Sequence, residues 1–310
     1  MATTATNSTA EKAWIITGPT AGIGRRTALD LAKHGAVVLV GRSRAKLDAV
    51  EQEIRAQGGR AVSVVSDLSD VTSARRAAAA IAALNLPIAG LLNNAGIMPT
   101  RPSTTAQGWD ATFATDHLGP FALTEALIPS LPDGANVVFI VSAVEDPERK
   151  PAVVSGFRGS RYISAAASAR GEWAPGGSSH PGLDAYATSK QGNLATVLAF
   201  AREFPHLRFN AVEPGFNPGS DLGRDANAAL RFVLKYVLSP IAPLIKYWSN
   251  PKTAARVITK VLTDDSTQTG GYFDEKGKPM RGSKQVHDPA FQDRYVAETR
   301  ALLATVPNAV

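Results

Sequence analysis

Residues 13–24 of the chain read AWIITGPTAGIG, an apolar run that leads without a break into a glycine-rich turn. Residues 13–17 have the length and composition of a buried strand, and residues 25–33 form a helical pattern that His34 and Gly35 would close as a C-cap. Strand, glycine turn and helix are the context of a dinucleotide-binding turn, because glycines let the backbone approach a pyrophosphate whose charge rests on the helix N-terminus. The spacing here is TGxxxGIG and not GxGxxG.

Largely apolar runs bounded by turn residues recur along the chain and are separated by helical patterns. They lie at residues 13–17, 36–40, 61–65, 88–92, 136–141 and 207–212. Continuous apolar runs are typical of strands that are covered on both faces. The sequence therefore predicts an α/β fold, a single Rossmann-type doubly wound parallel sheet with helices on both faces. Ligands of such sheets bind beyond the carboxyl ends of the strands.

Tyr186 and Lys190 are four residues apart in the segment YATSK, which is about one turn of an α-helix. On a helix the phenol and the ammonium would share a face, and the positive charge would favour the phenolate and lower the pKa of Tyr186. Tyr186 is therefore a candidate general acid or base. The pair alone is weak support, because Tyr and Lys at this spacing are also common on solvated helix faces.

Three motifs, taken together, resemble those of the short-chain dehydrogenase/reductase family: the glycine turn, residues 93–96 with the sequence NNAG, and the Tyr186/Lys190 pair. They occur in the family's order, and the resemblance covers most of the chain. Residues 94–98, 105–109, 117–121 and 271–273 look most like the retinol dehydrogenase-like group. The resemblance implies the strand order 3-2-1-4-5-6-7, with Tyr272 and Phe273 in the last strand.

The resemblance implies that Ser142, at the carboxyl end of the strand at 136–141, acts with Tyr186 and Lys190. In carbonyl reduction the Ser142 hydroxyl and the Tyr186 phenol would hydrogen-bond the substrate oxygen, and Tyr186 would donate its proton. Lys190 would also hold the nicotinamide ribose. Asp116 occupies the position of the family's usual Asn, where the main-chain carbonyl serves the proton relay, and its carboxylate adds a charge.

The residue that follows the second strand indicates which cofactor is used. NAD-dependent members of the family generally carry an acid there, whereas this chain has Arg42, which can pair with a 2′-phosphate, and Arg25 could assist. NADP(H) is therefore the predicted cofactor. By resemblance, Asp67 and Leu68 cap the adenine amino group. The expected cofactor-binding residues are Gly18, Thr20, Gly22, Ile23, Gly24, Arg42, Asp67, Leu68, Asn94, Ala95, Gly96, Tyr186, Lys190, Pro214 and Gly215.

One family position is not matched at its usual spacing. After Pro214 and Gly215 the family has a threonine that faces the carboxamide of the cofactor, and Ser220 is the best substitute here.

Composition excludes several other classes of site. The chain has 310 residues and no cysteine, so disulfides and thiolate metal sites are excluded, and the five histidines, without metal-ligand spacing, are expected at the surface or at helix ends. No metal is predicted. The net charge is +6, but acids are interspersed with the bases, which speaks against nucleic-acid binding. Residues 236–245 are apolar yet too short and too interrupted by proline for a membrane span.

The sequence predicts one domain, residues 12–310, behind a disordered tail at residues 1–11. Two insertions interrupt its pattern. Residues 145–184 are rich in Gly, Ser, Ala and Arg, and are either a partly ordered flap on the substrate side or a disordered excursion. Residues 221–248 are apolar, and are either a lid over the substrate or packing for the core.

The predicted function is an NADP(H)-dependent oxidoreductase that transfers hydride between the nicotinamide and a lipophilic or cyclic carbonyl or alcohol, in the cytoplasm. The lid region supports such a substrate, because it is aliphatic and aromatic without a cluster of charges. The alternative is a regulatory protein that senses the nucleotide on the same fold. The sequence identifies neither the substrate, the direction of the reaction, nor whether the chain forms a homodimer.

Overall fold

A computed structural model of the chain describes residues 12–99, 101–218 and 238–307. The predicted tail at 1–11, Ser220 and most of the insertion at 221–248 lie outside the described residues.

Seven strands form one sheet in the order β3-β2-β1-β4-β5-β6-β7, and every neighbouring pair is parallel. The predicted fold class and strand order are therefore confirmed. Because the strands are parallel, their carboxyl ends lie at a single edge of the sheet. The strands are β1 Ala13–Thr17, β2 Ala36–Gly41, β3 Ala61–Val65, β4 Ile88–Asn93, β5 Asn136–Ile140, β6 Arg208–Val212 and β7 Gly271–Phe273.

Helices cover both faces of the sheet. One face packs against α1, α2 and α10, and the other packs against α3, α5, α8 and α11. The helices are α1 Gly22–Leu31, α2 Arg44–Ala56, α3 Val71–Ala82, α4 Ala111–Phe113, α5 Gly119–Leu127, α6 Lys150–Val154, α7 Ala165–Ala169, α8 Pro181–Glu203, α9 Ser239–Ile241, α10 Pro251–Leu262 and α11 Pro289–Ala304, with a π-helical turn at Ala114–Leu118 and short 3₁₀ turns at Ile128–Ser130, Ala143–Glu145, Ala242–Leu244 and Gln285–His287.

Burial on both faces explains the continuous apolar runs of the sequence. In β1, Trp14 and Ile16 point into the core on the side of α1, whereas Ile15 points into the core on the opposite side. Successive side chains of a strand alternate between faces, so a strand covered on both sides needs apolar residues at every position.

The first helix begins and ends earlier than the sequence predicts. It spans Gly22–Leu31 and is capped by Ala32, whereas the pattern placed it at residues 25–33 with a C-cap at His34 and Gly35. Gly22 and Gly24, at the end of the glycine-rich segment, thus lie in the first turn of helix α1. Gly35 instead lies against β1, where a Cβ would be 2.1 Å from the carbonyl oxygen of Lys12.

Part of the segment 145–184 is ordered against the C-terminal helix. Between α6 and α7, the ring of Tyr162 stacks on that of Tyr295 with 3.9 Å between centroids, and its hydroxyl donates to Glu298 at 2.6 Å. The backbone N–H of Ala165 donates to the same carboxylate. These contacts join the segment to α11.

His117 is buried, and the prediction that it lies at the surface or a helix end was wrong. One ring nitrogen lies 3.0 Å from Oδ1 of Asn193 and the other lies 3.1 Å from the Thr299 hydroxyl, so both nitrogens have polar partners inside the core. Burial lowers the pKa of His117 to about 4, which keeps the ring neutral at physiological pH.

Two kinds of feature are missing from the part of the chain that the structure describes. No helix there combines the length and apolar character needed to cross a membrane. The same residues contain no group of three or more His, Cys, Asp or Glu side chains placed to hold a metal ion.

We predict that Tyr162→Ala destabilises the whole domain by about 3–5 kcal/mol, because it removes a buried aromatic ring from the core. Tyr162→Phe is the matched control, which keeps the stack and loses only the hydrogen bond to Glu298, at a cost of roughly 1.5–3 kcal/mol. Urea unfolding measures both. If Tyr162→Ala unfolds in a single transition at the same urea concentration as the wild type, the segment folds independently of the core.

Candidate active site

The glycine turn after β1 is shaped by close backbone contacts. Gly18 has φ +66°, and a Cβ there would lie 3.0 Å from Cα of Ala95. A Cβ on Gly24 would lie 2.2 Å from the carbonyl oxygen of Gly18. Gly22 has φ +51° and faces open space. The turn therefore brings bare backbone to the surface at the N-terminus of α1, where Ala21 provides no side-chain cap.

The NNAG segment holds this turn in place. The side-chain amide of Asn94 donates to the carbonyl oxygens of Thr17 and Gly18, at 2.9 and 3.2 Å. The Thr17 hydroxyl accepts the backbone N–H groups of Asn94 and Ala95, at 2.9 and 3.0 Å. Thr17, which the sequence analysis did not single out, thus links the ends of β1 and β4.

The predicted catalytic residues come together beside this turn. Ser142 follows β5, and Tyr186 and Lys190 lie one turn apart on the long buried helix α8. Burial raises the pKa of the Tyr186 phenol, and the Ser142 hydroxyl acts on the same pKa in the opposite direction. The ammonium of Lys190 lies 5.1 Å from the centroid of the Tyr186 ring. Both α8 side chains are at least nine-tenths buried.

Asp116, in the π-helical turn, adds a buried carboxylate to the cluster. Its Oδ2 lies 3.4 Å from the Lys190 ammonium, and its Oδ1 accepts the backbone N–H of Ile97 at 2.7 Å. Its main-chain carbonyl, expected to serve the proton relay, accepts the side-chain amide of Asn193 at 2.8 Å. The structure therefore places the side chain of Asp116 beside Lys190, while its carbonyl binds Asn193.

The charge of Lys190 does not dominate the titration of the phenol. Burial raises the pKa of Tyr186, and the carboxylates of Asp116 and Glu213 raise it further, so the predicted lowering was wrong. The physical reason is that Lys190 is paired with Asp116. Burial also raises the pKa of Asp116, to about 6, against the attraction of Lys190. Tyr186 is thus a neutral phenol at physiological pH, the form that can donate a proton.

The cation predicted to recognise a 2′-phosphate is available at the end of β2. The Arg42 side chain is exposed and makes no ion pair with any residue that the structure describes. Arg25, predicted to assist it, is instead paired with Glu53 on α2 at 2.6 Å. Arg42 is therefore the free cation of the two.

The remaining predicted cofactor residues lie along the same sheet edge. Thr20 and Ile23 belong to the glycine turn and the start of α1. Oδ1 of Asp67 accepts the backbone N–H and the hydroxyl of Ser69, and the Leu68 side chain is buried in the core. Glycine backbone at the turn and an unpaired Arg42 fit the pyrophosphate and 2′-phosphate of a bound NADP(H).

Glu213, which the sequence analysis did not consider, is the last member of the cluster. It follows β6 directly and is nine-tenths buried. Its carboxylate accepts the backbone N–H of Ala143 and, at 3.1 Å, that of Gly215, which has φ +73°. Burial raises the pKa of Glu213 to about 7. The signal in the sequence was an acid between a buried apolar strand and Pro214.

Comparison with known proteins identifies relatives along most of the chain. Residues 12–153 match the family model described as short chain dehydrogenase. A short-chain dehydrogenase/reductase of Armillaria gallica is 28% identical over 281 residues, 88% of this chain and 87% of that protein. A Streptomyces sp. (strain C5) protein, provisionally named a daunorubicin C-13 ketoreductase, is 27% identical over 86% of this chain and 85% of its own length. Human retinol dehydrogenase 11 is 38% identical over a shorter stretch, 40% of each chain.

Solved structures share the architecture. An uncharacterised protein from Mycobacterium paratuberculosis superposes with a TM-score of 0.70 at 25% identity, over 95% of this chain and 94% of its own. A blue fluorescent protein from a metagenomic library, solved in complex with NADPH, has a TM-score of 0.62 at 21% identity, over 86% of this chain and 97% of its own. At that identity the second likeness concerns the fold.

We predict that Asp116→Asn keeps turnover within about tenfold of the wild type, because the amide oxygen still accepts the N–H of Ile97 and the main-chain carbonyl is unchanged. Loss of the negative charge should lower the pKa of Tyr186, because the Asp116 carboxylate raises it in the wild type. The pH profile of alcohol oxidation should therefore move to lower pH, which initial rates at several pH values would measure.

Asp110→Asn is the matched control. Asp110 is a second buried acid nearby, but it caps α4 through the N–H of Phe113, and Asn caps equally well. A pH profile that moves in both variants, or in neither, would contradict the role given to Asp116.

Proposed function

Because the chain belongs to the short-chain dehydrogenase/reductase family and is an oxidoreductase, we propose that it transfers hydride between NADP(H) and a lipophilic or cyclic carbonyl compound or alcohol. The observation that carries the proposal is the buried cluster of Ser142, Tyr186 and Lys190 beside the glycine turn. The NNAG segment links the two parts: Asn94 donates to the carbonyl oxygen of Gly18 in the turn, and a Cβ at Gly96 would lie 3.0 Å from Oδ2 of Asp116, which pairs with Lys190.

The glycine turn and Arg42 would hold the dinucleotide. The backbone N–H groups at Gly22–Gly24 would bind the pyrophosphate, and the Arg42 guanidinium would pair with the 2′-phosphate. Bound NADPH would supply the hydride that the carbonyl carbon receives. The NADPH complex of the metagenomic protein supports this choice of cofactor by analogy of fold.

Residues of the chain would donate the proton that the substrate oxygen gains and would restore it afterwards. Ser142 and Tyr186 would place hydroxyl groups on the substrate oxygen, where negative charge develops. Tyr186, neutral because burial raises its pKa, would give its proton to that oxygen. The Lys190 ammonium behind the phenol would stabilise the phenolate left behind and return a proton to it, while the charge of Asp116 opposes the phenolate.

An apolar substrate is supported by aromatic groups, one of which lies near the phenol. The ring of Phe157, from the segment 145–184, lies 6.4 Å from that of Tyr186. Phe216, two residues beyond Pro214, is half exposed and packs edge-on against Trp248 at 4.8 Å. The names of the relatives, a ketoreductase and retinol dehydrogenases, point to cyclic and lipophilic compounds.

The proposal is tested by following the absorbance of NADPH in the presence of all-trans-retinal, decanal and a steroid ketone. Consumption that requires both enzyme and carbonyl is expected. If none of the three is reduced and the matching alcohols are not oxidised with NADP⁺, the proposed substrate class is wrong.

Tyr186→Phe should lower kcat by about 10²–10⁴, because the ring still packs while the acid is lost. The dissociation constant of NADPH, measured by fluorescence titration, should stay within a factor of about three, since the phenol hydroxyl contributes at most one weak contact to the ribose. A variant that keeps half of the wild-type kcat would contradict the assignment of Tyr186 as the acid.

Wild-type enzyme should prefer NADPH to NADH by at least ~10-fold in kcat/KM, because a charge-assisted hydrogen bond from Arg42 to the 2′-phosphate contributes ~1.5–3 kcal/mol. Arg42→Asp should reverse the preference, since the acid repels phosphate and accepts from ribose hydroxyls. Arg55→Asp is the control: it makes the same change of charge at the far end of α2, roughly 16 Å along the helix. Equal use of both cofactors by the wild type would refute the prediction.

A further inference from the structure

A polar network inside the core connects the C-terminal helix α11 with the Lys190 ammonium. Nδ1 of His117 lies 3.0 Å from Oδ1 of Asn193, and Nε2 lies 3.1 Å from the Thr299 hydroxyl. The side-chain amide of Asn193 donates to the main-chain carbonyl of Asp116 at 2.8 Å. The carboxylate of Asp116 lies 3.4 Å from the ammonium. All five residues are at least nine-tenths buried, so bulk water has little access to these contacts.

The network joins the π-helical turn at Ala114–Leu118 to one side of α8. Asp116 and His117 are consecutive in the turn, whereas Lys190 and Asn193 are three residues apart on the helix and therefore share a side. Asn193 contacts both residues of the turn, the first at its carbonyl and the second at its ring. The turn therefore cannot shift along α8 without breaking these contacts. Such π-helical turns occur frequently at functional sites.

The direction of each hydrogen bond follows from the chemistry of its partners. A carbonyl only accepts, so the NH₂ group of Asn193 faces Asp116 and its Oδ1 faces His117. Oδ1 also only accepts, so Nδ1 of His117 carries a proton. Burial lowers the pKa of His117 to about 4, so the ring is neutral at physiological pH and Nε2 is an acceptor. The Thr299 hydroxyl donates to it and shares its proton with the carbonyl oxygen of Tyr295.

We propose that His117 and Asn193 are positioning residues that hold the carboxylate of Asp116 against the ammonium at the active site. Helix α11 supports them from the outer end of the network. The inference rests on the proposed function, in which Lys190 stabilises the phenolate of Tyr186. Because the charge of Asp116 opposes that phenolate, the position of the carboxylate sets the pH range in which an alcohol is oxidised.

The pH at which the phenol ionises depends on the charges that face it. The carboxylates of Asp116 and Glu213 act on Tyr186, and Asp116 is itself acted on by Lys190 and Asp110. A displaced Asp116 would leave Lys190 without its counter-charge and would lower the pKa of the phenol. The pH profile therefore reports whether the network holds the carboxylate in place.

The kinetic test measures the pH profile of all-trans-retinol oxidation with NADP⁺ in wild type, Asn193→Ala, Asp116→Asn and the double variant. Asn193→Ala should move the profile to lower pH, by no more than Asp116→Asn does, because the carboxylate is released from Lys190. Adding Asn193→Ala to Asp116→Asn should cause no further shift, since no carboxylate remains to be held. A wild-type profile in Asn193→Ala, or shifts that add in full, would overturn the proposal.

Thr196→Val is the matched control for a buried hydrogen bond lost from α8. The Thr196 hydroxyl is buried and donates to the carbonyl oxygen of Gly192 at 2.8 Å, within the helix itself. Its loss should leave the pH profile unchanged. A shift as large as that of Asn193→Ala would mean that any such loss moves the profile, which also contradicts the proposal.

The hydrogen-bond direction is tested on the wild type without turnover. Long-range ¹H–¹⁵N spectra of protein labelled with ¹⁵N-histidine distinguish protonated from bare ring nitrogens, and His117→Leu identifies the signals of His117. We expect a neutral ring with its proton on Nδ1 between about pH 5.5 and about pH 8. A ring that gains a second proton in this range, or that carries its proton on Nε2, would overturn the proposal.

Urea unfolding of the four proteins of the kinetic test measures the coupling between Asn193 and Asp116 without activity. Asp116→Asn keeps the main-chain carbonyl that Asn193 binds, so any coupling comes through the carboxylate. Additive changes in the free energy of unfolding would overturn the proposal. Coupling in a protein that oxidises no alcohol and reduces no carbonyl would instead refute the proposed function and leave the network standing.

Discussion

The hydrogen bonds between the ends of β1 and β4 are the constraint on which the site depends. Strand order reverses between these two strands, so the helices that follow them lie on opposite faces and open a crevice at the sheet edge. Thr17 and Asn94 tie the crevice floor together by four hydrogen bonds. Without this tie only the pairing of β1 with β4 would hold the glycine turn beside Gly96, the residue that packs against Asp116.

Most of the fold could be predicted, because its signals are local. Continuous apolar runs indicated the strands, and the one-turn spacing of Tyr186 and Lys190 placed both on one helix face. Contacts between distant residues could not be predicted in this way. Arg25 meets Glu53 across two helices, and His117 finds Asn193 and Thr299 in the core. Nothing in the residues adjacent to Arg25 or His117 indicates these partners.

The electrostatics of the site departed furthest from expectation. Two carboxyl groups, those of Asp116 and Glu213, are buried near the Tyr186 phenol, and burial raises the pKa of each, to about 6 and about 7. Pattern reasoning considered Lys190 as an isolated charge beside Tyr186. In the folded chain the charge is matched by Asp116, so desolvation and neighbouring acids decide the state of the phenol. The pKa of Tyr186 therefore depends on how deeply it and its charged neighbours are buried. The spacing of residues along the sequence does not indicate that burial.

The anchoring of the segment 145–184 on α11 has a consequence for how the enzyme is made. Tyr162 and Glu298 are 136 residues apart in the chain, and Glu145 meets Ser283 over a separation of 138. During synthesis from the N-terminus, strands β1 to β5 can pair early, whereas the segment 145–184 gains its contacts with α11 only after this last helix has left the ribosome. A nascent or C-terminally clipped chain that lacks α11 would therefore have most of the sheet but not the contacts that anchor the segment 145–184.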